Sequence, residues 1–152
     1  MLNGIAKIIG LDIVKVPNIT GYYDTDYSAK AKYACDYLLE NDFVFIHVEA
    51  PDEAGHNGHL VEKIKALESI DKKIIGYVLD NFKNNQDFRI LICPDHPTPI
   101  KLRTHTNDKV PFILYGKDIE KNDVNFYSEK VVGNKKAANY RYGYELIKDF
   151  FS

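Results

Sequence analysis

Three of the five histidines of this 152-residue sequence lie in three short segments, two of which also contain an aspartate. The segment EAPDEAGH contains Asp52 and His56, PDHPTP contains Asp95 and His96, and LRTHT contains His105. Carboxylates and imidazoles together suit divalent cations such as Mn²⁺, Zn²⁺, Co²⁺ or Mg²⁺, without deciding among them. A pair of such ions can lower the pKa of a hydroxyl nucleophile and neutralise a phosphoryl group. The residue types therefore predict metal-dependent chemistry.

The spacing within these segments suggests how they could converge on a metal. Asp52 and His56 are four residues apart, so on a helix their side chains share one face and can bind one cation. Asp95 and His96 are adjacent in a predicted loop, where both can turn toward one centre, and His105 could add a third ligand to the first pair. The structural alternatives are that Asp52 caps a helix and that His105 is simply solvated.

Alternating helical and β-rich patterns predict an α/β fold with a mostly parallel sheet flanked by helices on both faces. The candidate ligands then lie beyond the carboxyl ends of strands, where such folds gather functional residues. The apolar stripe of the longest helix extends from Leu60 to Val78. The predicted helices are 2–10, 26–40, 59–83 and 139–151, and the predicted strands are 11–16, 43–48, 88–93 and 110–115.

Composition excludes several classes of protein. Hydrophobic residues make up 45% of the chain, which argues against disorder. The formal net charge is −2, so there is no strong basic field to bind nucleic acid or an anionic membrane. Cys35 and Cys93 offer neither a disulfide framework nor a C-x-x-C metal pair. No signal peptide and no apolar run near ~20 residues is present, which indicates a cytoplasmic protein.

Longer versions of these segments carry a family resemblance. VEAPDEAGH, PDHPTP and LRTHTNDKVPF resemble the archaeal-type cofactor-independent phosphoglycerate mutases of the alkaline phosphatase superfamily. The segment VPNITGYYDTDY is similar to the linker that returns from the inserted domain of that family. The likeness covers nearly the whole chain, most firmly residues 14–116, and implies an alkaline-phosphatase-like partial domain.

The resemblance implies a ligand set and a reaction. Asp52, His56 and His105 correspond to the protein ligands of one metal, and Asp95 and His96 to half the ligands of a second. Both ions would be Mn²⁺, with Mg²⁺, Co²⁺ or Zn²⁺ as alternatives, and 2,3-bisphosphoglycerate would not be needed. In the family, a serine takes the phosphoryl group of 3-phosphoglycerate and returns it to give 2-phosphoglycerate.

The sequence also departs from the family. It has no early D-G-x-G-D-like segment and no inserted domain, and none of its serines stands in the context of the nucleophile. We therefore expect the C-terminal portion of the domain, with residues 1–26 as lead-in and linker and 27–152 as α/β core. By itself this chain would be inactive, and only the parent enzyme would bind the small phosphorylated substrate. A sheet without its other strands would expose an edge and allow self-association. The four serines are Ser28, Ser69, Ser128 and Ser152.

Two residues and two further functions stay open. Arg103 could bind a phosphate through its guanidinium group, or form an ion pair that positions the His105 loop. By its spacing His59 could be an additional metal ligand, or it could simply occupy the N-terminal region of a helix. The chain could also belong to a related metal-dependent phosphotransferase or phosphohydrolase, such as a proposed homoserine kinase, or be a non-catalytic metal-binding module.

Overall fold

The computed structural model describes residues 1–85 and 87–152, and it divides the chain into two compact units, Met1–Asn81 and Phe82–Ser152. In those described ranges, no helix is long and apolar enough to span a membrane. The α-helices are α1 (Leu2–Ile8), α2 (Tyr27–Tyr37), α3 (Ala50–Asn57), α4 (Leu60–Ser69), α5 (Gly76–Phe82) and α6 (Gly143–Phe151), and the strands are β1 (Arg89–Ile92) and β2 (Ile113–Gly116).

The core of the first unit is built from small side chains around one tyrosine. Asp26 begins α2 by accepting a hydrogen bond from the backbone N–H of Ala29 at 2.9 Å, which satisfies a donor that the helix itself leaves unpaired. Tyr27 and Ala31 of α2 pack with Ala50 of α3 and with residues of the following helices. Residues of α2, α3 and the following helices therefore form one buried cluster.

The predicted long helix over residues 59–83 is confirmed, with an interruption that its periodicity does not show. A π-helical stretch, Ile70–Ile75, joins α4 to α5 without a break. The wider turn changes the phase of the side chains around the axis. Ile74 is consequently buried, whereas three earlier members of the predicted apolar stripe are about half exposed. Those three residues are Leu60, Ile64 and Leu67.

The structure confirms the mixture of helices and strands but not the parallel sheet. In the described residues the sheet has two strands, β1 and β2, which pair antiparallel with Arg89 opposite Gly116. The predicted strands at 11–16 and 43–48 are not strands in the structure. A β-rich composition favours a strand, yet a strand forms only where another backbone is available to complete its hydrogen bonds.

Arg89 connects β1 to the C-terminal helix in the second unit. Its Nε donates to the carbonyl of Lys117 at 2.7 Å, and its Nη1 donates to the carbonyls of Asp149 and Phe150 at 3.3 and 3.2 Å. The side chain is only 16% exposed. The last carbonyls of α6 have no partners within the helix, and a cation there is also stabilised by the negative end of the helix dipole. Arg89 therefore fixes the end of the chain against β1.

Helix α6 begins later than the predicted 139–151 range, because its N-terminal capping box places the cap at Tyr142. Glu145 accepts hydrogen bonds from the backbone N–H groups of Arg141 and Tyr142. Ahead of the helix, the hydroxyl of Tyr140 donates to the carboxylate of Asp149. That hydrogen bond, with some burial, raises the pKa of Tyr140 to about 12.

Replacing Arg89 by Met is expected to lower the free energy of unfolding by about 2 kcal/mol, because hydrogen bonds from a charged group to three carbonyls are lost. Urea denaturation measures the loss, and hydrogen exchange should show earlier opening of α6. Arg141→Met makes the same chemical change at an exposed site and is the matched control. Equal losses in the two variants would contradict this role for Arg89.

The hydrogen bond between Tyr140 and Asp149 predicts that the free energy of unfolding depends on pH. The folded pKa of Tyr140 lies above its ordinary value of 10, so the contact stabilises the protein below pH 10 and is lost as pH rises toward about 12. Tyr140→Phe should be less stable than the wild type near neutral pH, and the difference should shrink over that alkaline range. Urea denaturation at a series of pH values tests this, and a constant difference would exclude the contact as its cause.

Candidate metal centre

Helix α3 carries the first pair of candidate ligands, and its sequence sets where it begins and ends. Pro51 occupies the first turn, where its missing N–H is not needed and its fixed φ suits the helix. Gly58 ends the helix with φ 70°, in the left-handed region that glycine adopts without strain. The next residue, His59, donates its N–H back to the carbonyl of Ala54 at 2.9 Å. The helix is therefore eight residues long.

The two faces of α3 have different roles. Ala50 and Ala54 are buried against the core of the first unit. On another face, Oδ2 of Asp52 lies 3.4 Å from Nε2 of His56, and the side chains are 33% and 36% exposed. The i,i+4 spacing therefore brings a carboxylate oxygen and an imidazole nitrogen together where a cation can reach both.

The second pair follows β1 in the other unit. The carboxylate of Asp95 accepts the backbone N–H of His96 at 3.0 Å, and its Oδ2 lies 3.4 Å from Nε2 of His96. The other ring nitrogen, Nδ1, lies 3.3 Å from the hydroxyl of Thr98, which is only 4% exposed. A partner on one imidazole nitrogen orients the ring and leaves the other nitrogen for a ligand role. Sequence reasoning missed Thr98; its signal is a hydroxyl two residues after a candidate histidine, between two prolines.

His105 lies against His96 within the same unit. Their ring centroids are 3.7 Å apart, at an interplanar angle of 31°. The N–H of Thr106 donates to the carbonyl of Pro97 at 3.1 Å and joins the two loops. The sequence assigned His105 to the same metal as Asp52 and His56, and that assignment stays a prediction. The ring contact places His105 beside His96, which the sequence assigned to the second metal.

Arg103 lies in the turn between these two histidines. The N–H groups of Leu102 and Arg103 both donate to the carbonyl of Pro99, at 3.0 and 2.9 Å. Arg103 itself has φ 55°, a conformation that costs a non-glycine residue energy unless the surroundings impose it. The turn thus fixes the backbone ahead of His105, and phosphate binding by Arg103 stays a prediction.

Lys30 supports the approach to α3 in the first unit. Its Nζ donates to the carbonyl of His47 at 2.8 Å. Burial lowers the pKa of Lys30, and the nearby Glu49 carboxylate opposes that shift. The ammonium group therefore links α2 to the residues that lead into α3.

The chemistry of these side chains fits a divalent metal. Each unit presents imidazole nitrogen beside carboxylate oxygen, which are donors that such ions accept. The hydroxyl of Thr106, next to His105, is buried and has no hydrogen-bond partner among the described residues. A buried polar atom without a partner is costly, and a ligand or water bound nearby would satisfy it. The donor sets therefore support binding of a divalent ion, and its identity is not set by them.

Comparison with known proteins places these residues in context. The chain is 48% identical over 132 residues to the 2,3-bisphosphoglycerate-independent phosphoglycerate mutase 2 of Methanothermobacter thermautotrophicus, covering 87% of this chain and 33% of that protein. It is 46% identical over 136 residues to the corresponding mutase of Methanosarcina acetivorans, covering 88% and 34%. The chain thus spans about a third of the length of these curated relatives.

A solved structure and a family model agree with this likeness. The PH0037 protein of Pyrococcus horikoshii matches with a TM-score of 0.80 and 34% identity, over 85% of this chain and 38% of that one. The resemblance seen in the sequence segments is confirmed by these matches. The family model described as the metalloenzyme superfamily covers residues 1–141, and the chain therefore belongs to the metalloenzyme superfamily.

Proposed function

We propose that this chain is the metal-binding C-terminal portion of a 2,3-bisphosphoglycerate-independent phosphoglycerate mutase, an isomerase that interconverts 3-phosphoglycerate and 2-phosphoglycerate through a phosphoserine. The observation that carries this proposal is 48% identity, over 87% of the chain, to a protein of that name. The pairs Asp52–His56 and Asp95–His96 also supply the carboxylate and imidazole groups that a metal-dependent mutase needs.

The ligands of the proposed metals are those predicted from the sequence. Asp52, His56 and His105 bind one ion, and Asp95 and His96 bind a second, with Mn²⁺ as the metal. When bound, such ions lower the pKa of a serine hydroxyl and neutralise charge on a phosphoryl group. Two protein ligands are rarely enough for tight binding, so the second ion depends on ligands that this chain does not supply.

The chain's own contribution to catalysis is orientation. The hydroxyl of Thr98, at 3.3 Å from Nδ1 of His96, holds that imidazole in place. Arg103, in the turn before His105, would bind the phosphate of the substrate. The nucleophile is not among these groups, because none of the four serines stands in the family's context.

The architecture of the whole protein belongs to the same proposal. We expect a mostly parallel sheet with helices on both faces, residues 1–26 as lead-in and linker, and residues 27–152 as α/β core. The match to a solved chain of which these residues cover 38% supports a larger domain. An unpaired strand edge would allow self-association. The cytoplasm is the expected location, with no nucleic-acid or membrane partner.

A titration with Mn²⁺ tests the ligand assignment. We expect one site of moderate affinity, weakened at least about tenfold by Asp52→Asn, which replaces a charged ligand by a neutral amide, or by His105→Ala, which removes an imidazole. Isothermal calorimetry and the electron paramagnetic resonance signal of free Mn²⁺ measure occupancy. Glu53→Gln, which neutralises the neighbouring carboxylate, is the matched control and should bind as the wild type does. Unchanged binding in both ligand variants, or two tight sites in the wild type, would refute the assignment.

The activity prediction has two parts. The chain alone should not convert 3-phosphoglycerate, since it lacks the serine context. A chimera in which it replaces the matching third of the Methanothermobacter mutase should be active, and Asp52→Asn in the chimera should lower kcat at least about 100-fold. An enzyme-coupled assay for 2-phosphoglycerate measures both. Turnover by the chain alone, or a folded chimera that binds metal without turnover, would contradict the proposal; the latter would favour a related phosphotransferase or phosphohydrolase.

A further inference from the structure

The hydroxyl of Tyr23 lies beside α3 and contacts three polar groups. It donates to the carbonyl of Glu53 at 3.4 Å and accepts from Nδ2 of Asn57 at 3.2 Å. Nδ1 of His59, the residue before α4, lies 3.2 Å away. The ring of Tyr22 stacks on that of Tyr23 with centroids 3.9 Å apart. One tyrosine outside the helix therefore contacts its middle, its last residue and the residue that follows its cap.

These contacts fall directly beside the candidate ligands. Glu53 follows Asp52 in the chain, and Asn57 follows His56. Nδ2 of Asn57 also donates to the carbonyl of Glu53 at 2.8 Å, so that Tyr23 closes a triangle of hydrogen bonds across one helical turn. The triangle joins the backbone carbonyl of Glu53 to the side-chain amide of Asn57, the two residues that follow the candidate ligands.

The loop that presents Tyr23 is itself ordered by hydrogen bonds. The hydroxyl of Thr20 donates to the carboxylate of Asp24 at 2.7 Å, and the N–H of Thr20 donates to the hydroxyl of Thr25 at 3.2 Å. Thr25 is buried. Gly21 lies against the Glu49 carboxylate, where a Cβ would meet an oxygen at 2.3 Å. The tyrosine is therefore held in place before it meets the helix.

We propose that Tyr23 is a positioning residue for the Asp52–His56 pair, which it sets through hydrogen bonds to the next residue after each ligand. A helix of eight residues is marginal in water, so contacts from outside decide its geometry. Tyr23 acts on the ligands through the backbone of α3, without contacting a metal. This inference rests on the proposed function, because it assigns a supporting group to the same candidate site.

Tyr23→Phe in the full chain removes the hydroxyl and keeps the stacked ring. We expect Mn²⁺ affinity to fall by about tenfold, the effect of losing a group that orients a ligand. The resonance spectrum of bound Mn²⁺ should broaden, because the ligand geometry is no longer unique. Tyr115→Phe makes the same change at an exposed position and should alter neither. Asn57→Ala breaks the same triangle from the helix side and should weaken binding in the same direction.

The outcomes separate this inference from the proposed function. Loss of Mn²⁺ binding in Asp52→Asn, with wild-type affinity and spectrum in Tyr23→Phe and Asn57→Ala, would overturn the positioning role and leave the metal site standing. A purely structural role would lower the unfolding temperature of Tyr23→Phe while the bound-Mn²⁺ spectrum stayed unchanged, and that result would also overturn the inference. Unchanged Mn²⁺ binding in Asp52→Asn would overturn both the positioning role of Tyr23 and the proposed metal site.

Discussion

The 3.4 Å contact between the Asp52 carboxylate and the His56 imidazole depends on a helix too short to be stable alone. An i,i+4 pair aims two side chains at one point only while the turn between them stays helical. Burial of Ala50 and Ala54 holds one face of that turn, and Tyr23 holds it from another side. The geometry of this pair of candidate ligands therefore rests on the packing and hydrogen bonds around α3.

In the second unit, a carboxylate and an imidazole are brought together without a helix. Adjacent residues such as Asp95 and His96 have no helical periodicity to align them, so their geometry comes from hydrogen bonds within their loop and to the next one. The backbone hydrogen bond from Thr106 to Pro97 brings the His105 ring against that of His96, and the Thr98 hydroxyl contacts Nδ1 of the same imidazole. Hydrogen-bonded loops after β1 thus orient the second pair of candidate ligands, as α3 orients the first pair.

Helices α1, α2, α4, α5 and α6 fall within the predicted ranges, whereas α3 was not predicted and two of the predicted strands did not form. A helix completes its backbone hydrogen bonds within one segment, so the pattern over 59–83 is enough to predict that helix, although not its π-helical stretch. The eight residues of α3 are too few to show a clear helical period. A strand needs a second segment. The apolar runs at 11–16 and 43–48 have strand composition, but neither is a strand in the structure.

The sequence alone determined the types of donor and the local spacing that joins Asp52 to His56, because helical periodicity converts a spacing of four into a shared face. It also carried the family likeness, through segments long enough to be specific. Only the tertiary structure decided that His105 meets His96 and that Tyr23 meets Glu53. Those contacts join segments whose relation no local periodicity encodes, and they form only when the loops are folded.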